Sequence, residues 1–192
     1  MNSQTQPSIF TPRLVLHHVS SSRLITLFED PESDVIYEGS GYSNPFRVLI
    51  DDNYPLRWRV PQVKNNVELN KWFMRWMVLK ATNEIIGSIS FHGAPNADGM
   101  IEIGLGVHSN FQHQGYAQEA LEGMWSWVVE EPEVKVLRYT VSATNLASMK
   151  LVDRFGFTHV GVQNHEEDGP EEIFEMSAAE FQVRHGANWR GP

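Results

Sequence analysis

The 192 residues carry 24 acidic and 15 basic side chains, a formal net charge of −9, and no cysteine. A general nucleic-acid binder needs a basic surface for the phosphate backbone, so the charge balance argues against one and leans toward a cationic partner. The missing thiols exclude disulfides, cysteine-ligated metals and a cysteine nucleophile.

One domain able to bury its own core, residues 1–192 with a core over about 11–180, is the expectation for this length. No run is long enough to span a membrane, and the opening MNSQTQPSIF lacks the charged start and apolar stretch of a signal peptide, so the expected place is the cytoplasm. Thr11 to Val19 predicts a first strand with Leu14 and Leu16 on one face, opened by Pro12. Ser20 to Asp30 predicts a helix capped by Ser20 or Ser21, burying Leu24, Leu27 and Phe28 and stopped by Pro31. From Glu32 to Asn70 the pattern breaks around Pro45, Pro55 and Pro61 and predicts short helices and a loop, with Tyr37, Tyr42, Phe46, Tyr54 and Trp58 covering one end of a sheet. Lys71–Lys80 and Glu84–His92 predict an antiparallel hairpin about Ala81-Thr82-Asn83.

The central stretch begins as a strand, because Ile101, Ile103, Leu105 and Val107 alternate with Glu102, Gly104, Gly106 and His108. It becomes a helix from Ala117, where Ala120, Leu121, Met124, Trp125 and Val128 continue one stripe as far as Glu131 and Pro132. The short polar connection Ser109 to Tyr116 aims unpaired N–H groups and the positive end of the helix dipole at one point, which suits a phosphate. A dinucleotide fingerprint starting at Gly104-x-Gly106 fails, because Ser109 stands at the third glycine position and no helix opens there. Val134–Val141 predicts another strand, and Asn145 to Gly156 a short helix with Asn145 as N-cap, Gly156 as the left-handed terminator and Phe157 folded back on the last turn. Two short strands, THVGVQ and EEIFEMS, follow around the acidic tip NHEEDGPE, and the tail after Ala178 is expected to be peripheral. None of the eight histidines pairs with another at the four-residue spacing of a zinc motif on a predicted helix, so no metal is expected.

The run Gln112-x-x-Gly115-x-Ala117 resembles the acyl-CoA pyrophosphate loop of the GNAT superfamily of N-acetyltransferases. The segment from Asn145 through Ser148 to Gly156-Phe157 is similar to the family's pantetheine-holding stretch, and the opening TPRLVL resembles the RimJ and RimL type, which acetylates protein N-termini and small amines. The likeness covers Thr11 to about Glu180. It implies an α/β fold of the mixed α+β kind: a mostly antiparallel central sheet of six to seven strands with helices on both faces. It implies acetyl-CoA as cosubstrate, held by Leu105, Gly106 and Val107, by Gln112, His113, Gln114, Gly115, Tyr116 and Ala117, and by Asn145 and Ser148. The acceptor wall is implied to lie between the first and second strands.

Acyl transfer needs an unprotonated amine, whereas a lysine amine has pKa about 10.4 and an α-amine about 7.7 to 8.0. Glu102 is the acidic side chain of the central strand, on the parity of Gly104 and Gly106, and burial would raise its pKa toward that of a useful base. The resemblance places the oxyanion on the Val107 N–H. Many relatives carry a tyrosine seven residues after the asparagine to protonate the thiolate; here that position is Val152, which leaves Ser148 or water. The phosphate loop holds no Lys or Arg, so backbone N–H groups, Gln112, Gln114 and His113 must bind the anion. The expected activity is acetyl transfer to a primary amine of a small molecule or peptide in a ternary complex, with a homodimer left open and neither nucleic acid nor membrane as partner. The alternative is an acyl-CoA-binding module without turnover.

Overall fold

The computed structural model describes residues 5–165 and 169–186. Its strands are β1 (Ile9–Phe10), β2 (Leu14–His18), β3 (Arg75–Leu79), β4 (Ile85–Phe91), β5 (Met100–Val107), β6 (Val136–Val141), β7 (Thr158–His165) and β8 (Gly169–Ser177). They form one sheet in the order β1-β2-β3-β4-β5-β6-β8-β7, antiparallel throughout except where β5 runs parallel to β6. Parallel neighbours need a crossover, and the helix α3 (Tyr116–Val128) supplies it. The mixed, mostly antiparallel class is as expected, with eight strands where six to seven were anticipated.

Cross-strand partners share a face, so the register sorts the sheet into two sides. Leu16, Met77, Ile89, Ile103 and Tyr139 point to one side, where α3, α4 (Leu146–Phe155) and α5 (Ala178–His185) pack. Trp125 of α3 is fully buried at the centre of that layer, its ring 4.9 Å from Phe155, 4.7 Å from Phe157 and 6.0 Å from both Tyr139 and Phe181. The other side carries His17, Trp76, Ser88, Ser90, Glu102, Gly104 and Gly106. Part of it is covered by residues 32–72, with Tyr37 stacked on Trp76 at 5.5 Å and Tyr42 edge-on to His17 at 5.0 Å.

Three expectations are sharpened or changed. The proline-broken stretch contains a three-turn helix, α2 (Tyr54–Asn65), in which Pro55 sits in the first turn, where its missing N–H costs nothing, and Pro61 lies inside. Burial of Leu56, Val60 and Val63 holds it in spite of the second proline. The tail after Ala178 is also not peripheral: Ser177 caps α5, and Phe181 is fully buried against Trp125. The run expected to begin a strand at Lys71 starts it at Arg75, because Asn66 accepts from the Glu68 N–H and winds Val67–Trp72 into a 3-10 turn. At α1 (Ser21–Glu29) the Ser20 cap forms as expected, as do the Asn145 cap and the Gly156 terminator of α4, whose φ is 76°.

Candidate active site

β5 pairs with β6 over Met100–Ile103 only, ending at the Ile103–Tyr139 pair, while β6 runs on to Val141 beside β8. Above that point the two strands part. The antiparallel ladder to β4 is anchored by His92 N–H to Glu102 O at 2.8 Å and His108 N–H to Ile86 O at 2.8 Å. Alternation along such a ladder turns the N–H groups of Leu105 and Val107 away from β4, into the gap. Both belong to the Leu105–Val107 stretch expected to hold the cosubstrate, Val107 being the one expected at the oxyanion, and Gly106 between them presents no side chain.

After β5 the chain makes a 3-10 turn, Ser109–Phe111, then passes through two left-handed residues, His113 (φ 60°) and Gly115 (φ 82°), into α3. The N–H groups of Gln114, Gly115, Tyr116, Ala117 and Gln118 have no acceptor among the described residues, and the first helical bond is Glu119 N–H to Gly115 O. Five convergent donors at a helix start form a nest suited to a pyrophosphate. The glutamines brace it from within, Gln112 Nε2 donating to Val107 O at 2.9 Å and Gln114 Nε2 to Asn110 O at 2.9 Å.

Although the loop contains no cation of its own, one is brought to it. Arg13, at the start of β2, donates from Nη1 to Gln114 O at 3.0 Å and from Nε to Glu119 at 2.7 Å, and its guanidinium lies 4.2 Å over the Tyr116 ring. Glu119 also accepts from Thr11 Oγ1 at 2.6 Å and from the Arg13 N–H at 2.7 Å, so the Thr-Pro-Arg turn is clamped to the first turn of α3. A Cβ on Gly115 would lie 3.4 Å from Arg13 Nη2, so substitution there presses on the arginine as well as straining the backbone.

On the sheet face opposite α3, Ser88 faces Gly106 and Ser90 faces Gly104, which leaves a floor without bulk. A Cβ added to Gly106 meets nothing within 4 Å. Glu102 stands at the end of this floor with its Oε1 3.4 Å from His92 Nδ1, and His92 Nε2 overhangs Gly104, 2.7 Å from where a Cβ there would be. Burial pushes the Glu102 carboxyl up, but the neighbouring His92, Thr140 and Arg138 outweigh it and hold it below the ordinary range. The rise anticipated from burial alone is therefore reversed. His108 instead packs on Phe46 at 4.9 Å and accepts from the Asn110 N–H.

Across the gap, Asn145 Oδ1 accepts from the Ser148 N–H at 3.1 Å, capping α4 and leaving its Nδ2 free to donate. The Tyr139 hydroxyl donates to Ser148 Oγ at 3.3 Å, and burial pushes the Tyr139 phenol up. Val152 is a core residue, 1% exposed. The tyrosine at the gap thus comes from β6, a source that spacing along α4 does not reveal. Among the described residues no group of three His, Asp or Glu is gathered as metal ligands, and no helix is long and apolar enough to cross a membrane. The acidic tip includes Glu166, Glu167 and Asp168, which lie outside the described residues.

The family model described as the acetyltransferase (GNAT) domain matches residues 13–158. A Bacillus subtilis (strain 168) protein named uncharacterized N-acetyltransferase YjdG is 34% identical over 96 residues, 50% of this chain and 56% of that protein, so the match spans little more than half of the relative. Among solved structures, the Microcin C7 self immunity acetyltransferase MccE, in complex with acetyl-CoA and AMP, matches with a TM-score of 0.60 at 19% identity over 90% of this chain and 97% of its own. RimL, the ribosomal L7/L12 alpha-N-protein acetyltransferase, matches with a TM-score of 0.60 at 15% identity over 90% and 98%. At such identities these structures speak for the fold. The family match takes in the strand, the amide nest, the Asn145–Ser148 cap and the clamp at Arg13, and on it the chain belongs to the GNAT family of acetyltransferases.

Proposed function

We propose that this chain transfers the acetyl group of acetyl-CoA to a primary amine by direct attack within a ternary complex. The observation that carries this reading is the parting of β5 and β6 beyond Ile103 and Tyr139, directly before a nest of five unpaired N–H groups. Acetyl-CoA supplies the activated acyl group. The nest at Gln114–Gln118, with Arg13 beside it, would hold the pyrophosphate, and Asn145 Nδ2 a pantetheine carbonyl. The Val107 N–H, unpaired at the gap, is the donor placed for a developing oxyanion.

Glu102 and His92 take the amine's proton as a pair in this reading. With its Nδ1 3.4 Å from Glu102 Oε1, His92 presents Nε2 over Gly104 as the accepting atom, and Glu102 orients the ring. On the sulfur side, Tyr139 stays protonated and donates to Ser148, whose own proton is then directed at the leaving thiolate.

Saturating acetyl-CoA should raise the melting temperature: at a hundredfold excess over Kd the gain is about 2.7 kcal/mol, on the order of 5 to 10 °C for a chain of this size. An amine panel read by thiol release completes the test. No shift at millimolar acetyl-CoA would refute the cosubstrate assignment, and a shift without thiol release on any amine would leave the binding module as the better reading.

A further inference from the structure

The buried face of α2 is Leu56, Arg59, Val60 and Val63, so a guanidinium stands where the helical stripe would otherwise place an apolar side chain. Arg59 is 7% exposed, yet it donates to no acceptor among the described residues. Its Nε is sealed off without a partner, while the terminal nitrogens are not among the sealed atoms and remain reachable. The Phe73 ring lies 5.6 Å from its central carbon. The other deeply buried arginine, Arg75, also leaves Nε and Nη2 without a partner, but its Nη1 donates to Pro7 O at 2.8 Å and Leu16 O at 3.2 Å, and the guanidinium packs on Trp127. Arg59 has no such carbonyls. Burial pulls its pKa down to about 10, offset by the charge of Glu102, so it is a cation at neutral pH and Glu102 is the carboxylate whose field reaches it.

A buried, unpaired charge costs stability and is retained where something pairs with it. Arg59 lies on α2, within the segment 32–72 that covers part of the Glu102 side of the sheet, and the charge that reaches it is that of Glu102, which with His92 closes the end of the Ser88–Gly106 and Ser90–Gly104 floor. One acidic group and one basic group therefore stand within reach of each other's charge on the side of the sheet that carries that floor. A free ammonium suits the first, and a planar anion suits the fork of the second. A zwitterion supplies both charges at once.

We propose that the acceptor is an amino carboxylate, a small molecule bearing a primary amine and a carboxylate, with the carboxylate held by Arg59 and the amine presented to His92 and Glu102. This rests on the acetyltransferase reading and narrows it to one acceptor class.

The test compares, by thiol release, L-amino acids with their amides and with the amines left on removing the carboxyl group, side chain by side chain. Wild type should favour the acid over its amide by roughly 10²-fold or more in kcat/KM, because the neutral analogue leaves the guanidinium unpaired. Arg59→Met should erase the preference through KM, the acid falling to the level of its amide, and Arg59→Lys should restore part of it. The unliganded Arg59→Met protein should melt no lower than wild type, since it sheds a buried charge and keeps an unbranched apolar chain. A wild-type enzyme that prefers the amide, the decarboxylated amine or a phosphorylated amine overturns the proposal, with or without a folded variant. If acetyl-CoA still shifts the melting temperature in that case, only the acceptor class is wrong. If acetyl-CoA gives no shift, the acetyltransferase reading has failed and this inference falls with it.

Discussion

A carboxylate that accepts a hydrogen bond from an imidazole transfers part of its basicity to that ring. Glu102 is held low by His92, Thr140 and Arg138 against the opposing effect of burial, so it binds a proton weakly, and in the proposed mechanism the accepting atom is on the His92 ring, 3.4 Å away. Glu102→Gln and His92→Gln should each lower turnover by roughly 10² to 10⁴ at neutral pH, with acetyl-CoA binding unchanged. The loss should shrink as pH approaches the amine's own pKa, where the acceptor arrives deprotonated. Because the two act as a unit, the double variant should be little worse than either single one; losses that add would separate them into independent groups and end the pairing. A different histidine governs stability. His18, 1% exposed, accepts from the Gln6 N–H at Nδ1 and meets Asn70 O at 2.8 Å with Nε2, a neutral ring with both nitrogens used. Burial, with the charges of Arg75 and His17, lowers its pKa to about 4 despite the opposing Asn70 bond. The unfolded chain binds this proton below about 6.5, so stability is whole above that pH and is lost as pH falls toward about 4, a cost on the order of 3 kcal/mol. Urea unfolding of wild type and His18→Gln at several pH values checks this: the variant should lack that part of the slope, and equal slopes would place the acid sensitivity elsewhere.

Elements whose ends carry their own chemistry were legible in the sequence, and elements held by distant contacts were not. Ser20, Asn145 and Gly156 mark α1 and α4 through local capping, and the period-two pattern marks β5. In contrast, α2 has a proline inside and only its packed face to define it, and α5 is fixed by Phe181 meeting Trp125 from far along the chain. The site divides in the same way. Loop, strand parity and the Asn145–Ser148 spacing are local and readable, but Arg13 reaches Gln114 across 101 positions of sequence, through the Thr11–Arg13 turn and its clamp on Glu119. No spacing rule points to it. His92 becomes a partner of Glu102 only through the β4–β5 register, and Arg59 comes under the charge of Glu102 only through burial of one side of α2. The departure at Val152 was readable; the tyrosine near Ser148 was not, because it arrives from a neighbouring strand.

At the scale of the molecule, the sheet is two antiparallel blocks, β1–β5 and β6–β8, sharing a parallel ladder of four residue pairs, Met100–Ile103 with Val136–Tyr139. On the α3 face the blocks are stitched by Trp125 packed on Tyr139, Phe155, Phe157 and Phe181. On the Glu102 face no comparable aromatic joins them among the described residues. A short ladder fastened on one side behaves as a hinge, and a seam of this kind is where a native protein opens at the least cost. A ligand lying in the gap would bear on both blocks at once. Amide exchange at Leu105 and Val107 and at Thr140 and Val141 should therefore slow together when acetyl-CoA is added, while β2 and β3 change little. Slowing confined to the β5 side would mean that the ligand sits against one block only. If both slow together, cosubstrate binding and the rigidity of the sheet are a single equilibrium, and any substitution that loosens the seam will weaken acetyl-CoA from a distance without touching it.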